Sequence, residues 1–462
     1  MPNLFDNLKK FKNSTALVDE KFGKISYAKL ISDSEAIEEK LSSNSIALLI
    51  ADNNYEFVTG YVAFLKKKNV VSIIVDNSFS SKFISDIVIK YKPNYIFCSK
   101  KFEINFDKNL IKNNVVSLLN YVIYKTNFDF HKNINFKNFL LISTSGTTQN
   151  PKFVRLSKDN IKDNLQKIIK SLKIKKNHTT ITTMPLAYSY GLSILNSHLV
   201  TGGVIVLNNR SIIDKIFWQN LKKYKVNSFG GVPEFYQYLK RINFEKLLTK
   251  SIKYLTQAGG KLDEKTLNFF GNICKKNKVK FYVMYGQTEA APRMTCLDWK
   301  DFFLKISSIG KPLSGYKMQI VDKNKKVINN YNKKGEIKFF GKNVSLGYAN
   351  NFRDLTKGNI NKNVLFTGDL GVRDKDNFFY IIGRNNRVIK LFGKRFNLED
   401  IEKFYQNKGI KVKCGFKDSK IILNFQSETN QKKEILSLSN FLGINRNFIL
   451  AGRELKKTFK DY

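Results

Sequence analysis

The residues whose types could do chemistry fall into three clusters. In the first, Ser143, Thr144, Ser145, Thr147 and Thr148 surround Gly146 directly after the apolar run Phe139–Ile142, and Pro151 and Lys152 follow in the same loop. Hydroxyls and open backbone N–H groups can wrap phosphate oxygens, Gly146 allows close backbone approach, and Lys152 adds a mobile positive charge. A Walker loop would end in Gly-Lys-Ser/Thr, whereas this lysine follows proline, so a P-loop NTPase is excluded. An ordinary Ser/Thr turn between two strands uses the same residues, and the loop takes its meaning from the other clusters. Gly259-Gly260 and Gly286-Gln287-Thr288-Glu289 form the second cluster, each at the exit of an apolar strand, where open parallel sheets place ligands. The third is Thr367-Gly368-Asp369, with Arg384 after it: a carboxylate at a glycine turn can accept two hydroxyl hydrogen bonds from a ribose.

Together these motifs resemble those of the adenylate-forming, AMP-binding superfamily, which includes acyl-CoA synthetases, luciferases and the adenylation domains of peptide synthetases. Its loop signature, roughly T-S-G-T-T-G-x-P-K-G, is matched by Thr144, Ser145, Gly146, Thr147, Thr148, Pro151 and Lys152, while Gln149 and Phe153 stand where glycine is usual. Tyr285-Gly286-Gln287-Thr288-Glu289 matches the second core motif, Y-G-x-T-E. The resemblance implies that Thr288 contacts the AMP phosphate, Glu289 holds magnesium, and Gly259, Gly260 and Tyr285 line the adenine and substrate side. It assigns the ribose to Asp369, with Arg384 reaching ribose or phosphate. It also implies an acyl pocket shaped by the loop carrying Tyr188 and Tyr190 before Gly191 and by a second pocket-facing segment, Ser228–Pro233, with Phe235 and Tyr236 behind it. Arg387 takes the hinge position usually held by Asp or Lys, and Gly393 borders a pantetheine tunnel. Lys460, before Asp461-Tyr462, is the best match to the catalytic lysine of the C-terminal tail; Lys457, or no equivalent, are the alternatives.

Short strands and amphipathic helices must position these clusters. Ala16–Val18 and Lys24–Tyr27 read as a hairpin, and Tyr27–Leu41, Tyr55–Lys67 and Ser81–Tyr91 have helical spacing. Ser45–Ala51, Val70–Val75 and Tyr95–Cys98 read as buried strands between them, which predicts a parallel sheet covered by helices on both faces. After the loop, a helix is expected over Lys158–Leu172, a strand over Val204–Leu207, a strand exit at the end of Tyr254–Gly260, and a helix over Asp263–Lys275 before the strand FYVMYG. Turn-rich text from 307 onward predicts a small β-subdomain, with a distorted barrel as the form suggested. The fold expected is α/β: a large N-terminal domain over 1–383 with parallel, helix-covered sheets and a β-subdomain at about 307–383, a hinge at 384–387, and a small mobile α+β domain over 388–462. In the last, VIKLFGKRFNLEDIE reads as a strand, a turn at Gly393 and a helix.

The chain has 462 residues and a formal charge of +42, enough length for one large core and a smaller one. The lysines are scattered through the whole length rather than gathered in a stripe, which reads as a solvated basic surface and not a nucleic-acid site. Such a surface would still steer a carboxylate, ATP or an acidic carrier protein. Cys98, Cys274, Cys296 and Cys414 are far apart, and His131, His178 and His198 share no metal spacing. The N-terminus lacks a signal-peptide core, and no run approaches the ~18 apolar residues of a membrane span. A cytoplasmic protein with reduced thiols is expected.

The resemblance implies a reaction in two halves. A carboxylic acid attacks Mg·ATP to give an acyl-adenylate and pyrophosphate; a thiol, coenzyme A or the phosphopantetheine of an acyl or peptidyl carrier protein, then takes the acyl group. Two rivals stay within the superfamily: an amino-acid ligase for a carrier protein, which would need a pocket Asp for the substrate amine, and a non-catalytic AMP-binding relative. A basic nucleic-acid-binding protein would instead show strongly salt-dependent binding.

Overall fold

The computed structural model describes residues 4–102, 110–129, 133–143, 152–384, 388–391, 394–417, 419–426 and 429–452. Among the described residues two large mixed sheets dominate. The first runs in the order Gly347–Ala349, Phe153–Leu156, Leu140–Ser143, Val70–Asp76, Ser45–Ala51, Tyr95–Ser99, Tyr121–Thr126 and Ile111–Leu118. Its middle strands are parallel and its outer ones antiparallel. Ser45–Ala51 and Val70–Asp76 are buried at every residue, because helices cover both faces, and so they read as continuous apolar runs. The outer strand Ile111–Leu118 is largely exposed, and no expectation covered it.

The second sheet runs Lys311–Pro312, Arg293–Leu297, Lys280–Gly286, Tyr254–Gln257, Ser228–Gly231, Thr179–Ile181, Val204–Val206, Thr15–Asp19 and Gly23–Ser26. It is parallel from Lys280–Gly286 through Thr15–Asp19. Helices Tyr27–Lys40, Tyr55–Lys66, Lys158–Leu172 and Ser189–Leu199 share one apolar core with strands of both sheets and therefore lie between them. Ser81–Tyr91 covers the outer face of the first sheet, and Lys215–Lys223, Pro233–Arg241 and Glu264–Lys276 cover that of the second. Phe153 is fully buried in strand Phe153–Leu156, edge-on to Tyr91 at 5.3 Å. Its departure from the family's glycine therefore belongs to core packing.

The β-subdomain is an antiparallel sheet ordered Lys317–Val321, Gly335–Phe340, Val364–Arg373, Phe379–Arg384. Its two edge strands do not pair with each other, so among the described residues it is an open sheet and not the barrel expected. Gly347–Ala349 leaves it to join the first large sheet beside Phe153–Leu156. In the C-terminal part, Val388–Leu391 pairs with Lys394–Asn397 before helix Leu398–Gln406, a second strand where a turn into the helix was expected. The sheet Val412–Lys417, Lys420–Phe425, Ile449–Ala451 and helix Gln431–Leu442 complete an apolar cluster of their own around Ile401, Tyr405, Leu423 and Leu438. Among the described residues no helix is long and apolar enough to cross a membrane.

Candidate active site

Three adjacent parallel strands, Ser228–Gly231, Tyr254–Gln257 and Lys280–Gly286, end side by side and deliver Val232, Gly259-Gly260 and Gln287–Glu289 to one edge of the second sheet. Gly286 makes the last exit possible, since a Cβ there would sit 1.9 Å from the Pro292 carbonyl oxygen. The chain folds back at this point through Gln287 N–H, which donates to that oxygen at 2.9 Å. Gly259 has φ +88°, a left-handed turn, and the Gln257 amide holds the loop by donating to Gly260 O at 2.8 Å.

Asp369 lies opposite Arg384 in the β-subdomain and is 1 % exposed. One carboxylate oxygen accepts from Arg384 Nε at 2.5 Å; the other accepts from Tyr285 Oη at 2.5 Å and Gln287 Nε2 at 2.8 Å. Burial first, and then the Asp369 charge, push the Tyr285 phenol well above its usual value, so it stays a donor. Charge-assisted bonds of this kind contribute about 1.5–3 kcal/mol each and fix the carboxylate's orientation. Gln287 reads as a spacer in the Y-G-x-T-E pattern, and only the fold reveals its place beside Asp369.

Glu289, on the turn Thr288–Ala290, accepts a hydrogen bond from Tyr348 Oη at 2.9 Å. Lys152 Nζ stands 3.7 Å from the centre of the Tyr348 ring, so one aromatic side chain contacts both the loop lysine and the carboxylate. Thr288 Oγ1 is 3.1 Å from Ser189 Oγ. The segment after strand Gly335–Phe340 clamps this motif: Asn343 donates to Ala290 O at 2.5 Å and Ser345 N–H to Glu289 O at 2.9 Å. The same segment is tied to helix Lys158–Leu172 by Asn160, which forms a capping box with Ser157 and donates to Lys342 O and Val344 O. Tyr348 and Ser189 were not singled out as site residues in the sequence; the Gly347-Tyr348 pair was the signal available for the first. Mg²⁺ is commonly held by one or two carboxylates plus substrate phosphate oxygens, and Glu289 fits that pattern. Among the described residues no cluster of three His, Cys, Asp or Glu forms an all-protein metal cage.

A small cavity of about 70 Å³ adjoins Thr288 and is lined by Tyr188, Tyr190, Val232, Gly259 and Arg293 among others. Tyr190 threads past Gly230, where a Cβ would lie 2.4 Å from its hydroxyl oxygen, and bonds Thr256 Oγ1 at 2.9 Å. Three expected pocket residues, Phe235, Gly191 and Tyr236, do not line this cavity. Phe235 packs on Phe229 at 5.9 Å behind Gly231, and Gly191 lets helix Ser189–Leu199 pass the Pro185 carbonyl. Tyr236 is buried, with its hydroxyl donating to Thr256 O at 2.9 Å.

Thr144, Ser145, Gly146, Thr147 and Thr148 lie outside the described residues, as do Arg387, Gly393 and Lys460. The loop's ends are placed: Ser143 pairs with Phe153 across antiparallel strands, and Ser143 lines the small cavity. On the other side of Gly259, a cleft of about 1160 Å³ runs past Tyr285, Asp369 and Arg384 to the C-terminal sheet, where Gly415, Lys417 and Asn424 line it. That exceeds the about 300–1,000 Å³ of ordinary small-ligand clefts. Lys261 and Lys417 line it too, and neither was expected.

Comparison with known proteins places this geometry in a lineage. A profile of the AMP-binding enzyme family matches residues 4–349, up to the end of strand Gly347–Ala349. Oxalate--CoA ligase of Saccharomyces cerevisiae is 30% identical over 262 residues, covering 56% of this chain and 47% of that protein. D-alanine--D-alanyl carrier protein ligase of Bacillus licheniformis is 28% identical over 273 residues, covering 57% and 54%. The matched stretches thus span about half the length of these curated relatives. Among solved structures, o-succinylbenzoate CoA synthetase from Bacillus subtilis has a TM-score of 0.76 at 19% identity, covering 99% of this chain and 96% of that one. IdnL1 has a TM-score of 0.80 at 15% identity, covering 97% and 96%. At such identities the likeness is one of fold, whereas the profile covers most of the chain together with the Thr288–Glu289 motif: the chain belongs to the AMP-binding enzyme family.

Proposed function

We propose that this protein joins a carboxylic acid to a thiol through an acyl-adenylate. The carboxylate attacks the α-phosphorus of ATP and pyrophosphate leaves; a thiol then attacks the acyl carbon and AMP leaves. The observation that carries this reading is the convergence on one sheet edge of the Asp369–Tyr285–Gln287–Arg384 network and the Thr288–Glu289–Tyr348–Lys152 group. Asp369 presents a buried, oriented carboxylate for ribose hydroxyls, and Tyr285 and Gly259-Gly260 border the space for the base. Thr288 donates to the phosphate, and Lys152 supplies positive charge where phosphate charge builds. Glu289 would hold Mg²⁺, which lowers the charge on the phosphates when bound.

Residues 388–462 would turn about the hinge at 384–387, centred on Arg387, so that one site serves both halves; Lys460 would act in the first and Gly393 would border the pantetheine path in the second. The acceptor is coenzyme A or a carrier-protein phosphopantetheine. The small cavity carries a guanidinium and, among the described residues, no carboxylate, which favours a non-amino acid over the amino-acid ligase reading. ATP–pyrophosphate exchange across short, long, aromatic, hydroxylated and amino acids tests the first half. Exchange with one class, lost in Glu289→Ala and Lys460→Ala, is expected. ATP binding without exchange for any acid would point to the non-catalytic relative.

A further inference from the structure

Arg293 begins the strand Arg293–Leu297, just beyond the Thr288–Glu289 turn, and is 3 % exposed. Its backbone is fixed on both sides: the Asn164 side chain accepts from its N–H at 3.1 Å and donates to its carbonyl at 2.6 Å. The side chain is poorly satisfied. Nε has no hydrogen-bond partner, and one terminal nitrogen reaches only Ser193 Oγ, at 3.5 Å. The guanidinium lies 4.7 Å from the centre of the Tyr190 ring, a favourable contact that uses none of its N–H groups.

Nothing described neutralises it. The ionisable groups that act on it are Tyr190 and Cys296. Burial pushes the Cys296 thiol up to about 12 and raises the Tyr190 phenol, so both are uncharged at neutral pH. A buried cation with unused donors is a costly arrangement that a bound anion would relieve.

Arg293 lines both the cavity of about 70 Å³ beside Thr288 and a deeper void of about 20 Å³. One water needs roughly 10–15 Å³. The cavity therefore has room for a few non-hydrogen atoms and the void for about one. Tyr254 Oη and His198 Nε2, also buried and without hydrogen-bond partners, line the void, so its far wall is polar. An alkyl tail would leave the guanidinium and Tyr254 Oη unpaired, whereas a carboxylate can accept from both and suits a guanidinium bidentately; His198 Nε2, with the ring proton on Nδ1 facing Ile194 O, is an acceptor and takes no part.

We propose that the acid activated here is a short dicarboxylic acid whose second carboxylate is held by Arg293 over the face of Tyr190. This rests on the adenylation reading and specifies the substrate class of the same site. Arg293 is a binding residue, remote from the bond that forms, and its loss is expected to change KM and selectivity more than kcat with a poor substrate.

The test pairs acids of equal chain length, propionate with malonate, butyrate with succinate and valerate with glutarate. ATP–pyrophosphate exchange and calorimetric binding of the same acids are measured on the full chain, wild type and Arg293→Met. Wild type is expected to favour the diacid of at least one pair by about 100-fold or more in kcat/KM, since a site built around a polar group discriminates strongly against analogues that lack it. Arg293→Met, similar in length and without the charge, is expected to erase or invert that preference, read as the diacid-to-monoacid ratio of kcat/KM. Arg293→Lys, which keeps charge but not the planar fork, is expected to fall between and guards against a folding defect in the first variant. A monoacid preference in every pair, or an unchanged ratio in both variants, overturns the inference and leaves adenylation standing. Diacid binding that Arg293→Met loses, with no exchange for any acid, keeps the inference and removes adenylation; neither binding nor exchange removes both.

Discussion

Two buried arginines divide the molecule into a part that holds itself together and a part that waits for a ligand. Arg155 is fully buried, and its Nε and both terminal nitrogens donate to the carbonyl oxygens of Leu346, Tyr348, Lys357 and Gly358 and to Asn138 Oδ1, at 2.6–3.3 Å. These bonds tie strand Phe153–Leu156 to the segment from the β-subdomain, and every N–H direction of the fork is used. Arg293, equally enclosed, makes among the described residues one side-chain hydrogen bond, at 3.5 Å, and leaves Nε alone. Burial lowers both guanidinium pKa values, so burial does not distinguish them; hydrogen bonding does. Charge in a core can be structural when carbonyls saturate it, and points to a missing partner when they do not.

The comparison is most easily broken at Arg155. Arg155→Met is expected to destabilise the protein by about 4 kcal/mol or more, since it leaves four carbonyls and the buried Asn138 amide without their donor. Arg293→Met is expected to stay within about 1 kcal/mol of wild type or to gain stability. Urea unfolding of the two variants side by side checks this, and equal losses would erase the distinction.

Acid probes the Arg293 side next. His198, buried on the deeper void, is depressed by burial to about 4. An unfolded histidine takes its proton near pH 6.5. Between those values the unfolded chain binds more protons than the folded one, so stability falls as pH drops from about 6.5 to about 4, by about 3 kcal/mol. His198→Gln is expected to flatten that acid limb in thermal melts at stepped pH. His178, half-buried and shifted in the same direction by burial and by Lys253 and Lys175, leaves a smaller slope behind.

Asp369→Asn tests the nucleotide side without touching either arginine. It retains the shape but loses the charge that Arg384, Tyr285 and Gln287 face. ATP and AMP affinity measured by calorimetry is expected to fall about 10–100-fold, or about 1.4–2.7 kcal/mol.

The smallest effect is expected at Tyr348, which belongs to both regions: its carbonyl accepts from Arg155 and its hydroxyl donates to Glu289. Tyr348→Phe keeps the carbonyl and the ring beneath Lys152. Exchange activity is expected to drop about fivefold, or about 1 kcal/mol, with unfolding unchanged.

Where the sequence was legible follows the same division. Ser45–Ala51 and Val70–Asp76 announce themselves because strands buried on both faces must be apolar throughout. Thr288, Glu289 and Asp369 were singled out because a motif fixes their spacing along one strand exit or turn. Tyr348, Ser189 and Gln287 were not, because their value lies in which distant side chain they meet. Arg293 was equally silent: in Ala-Pro-Arg-Met-Thr it reads as an ordinary strand start, and only tertiary burial turns it into an unpaired charge. Ile111–Leu118 was missed for the opposite reason, since an exposed edge strand rich in asparagine carries no alternation to read.

The most direct measurement uses a substrate acid labelled with ¹⁸O in the reacting carboxylate, turned over with ATP and a thiol acceptor, followed by mass spectrometry of the products. Attack on the α-phosphorus moves one carboxylate oxygen into the adenylate, and cleavage by the thiol leaves it on AMP. One ¹⁸O in AMP and none in pyrophosphate is the result expected. Label in inorganic phosphate, with ADP as the nucleotide product, would mean attack on the γ-phosphorus and contradict adenylation at this site.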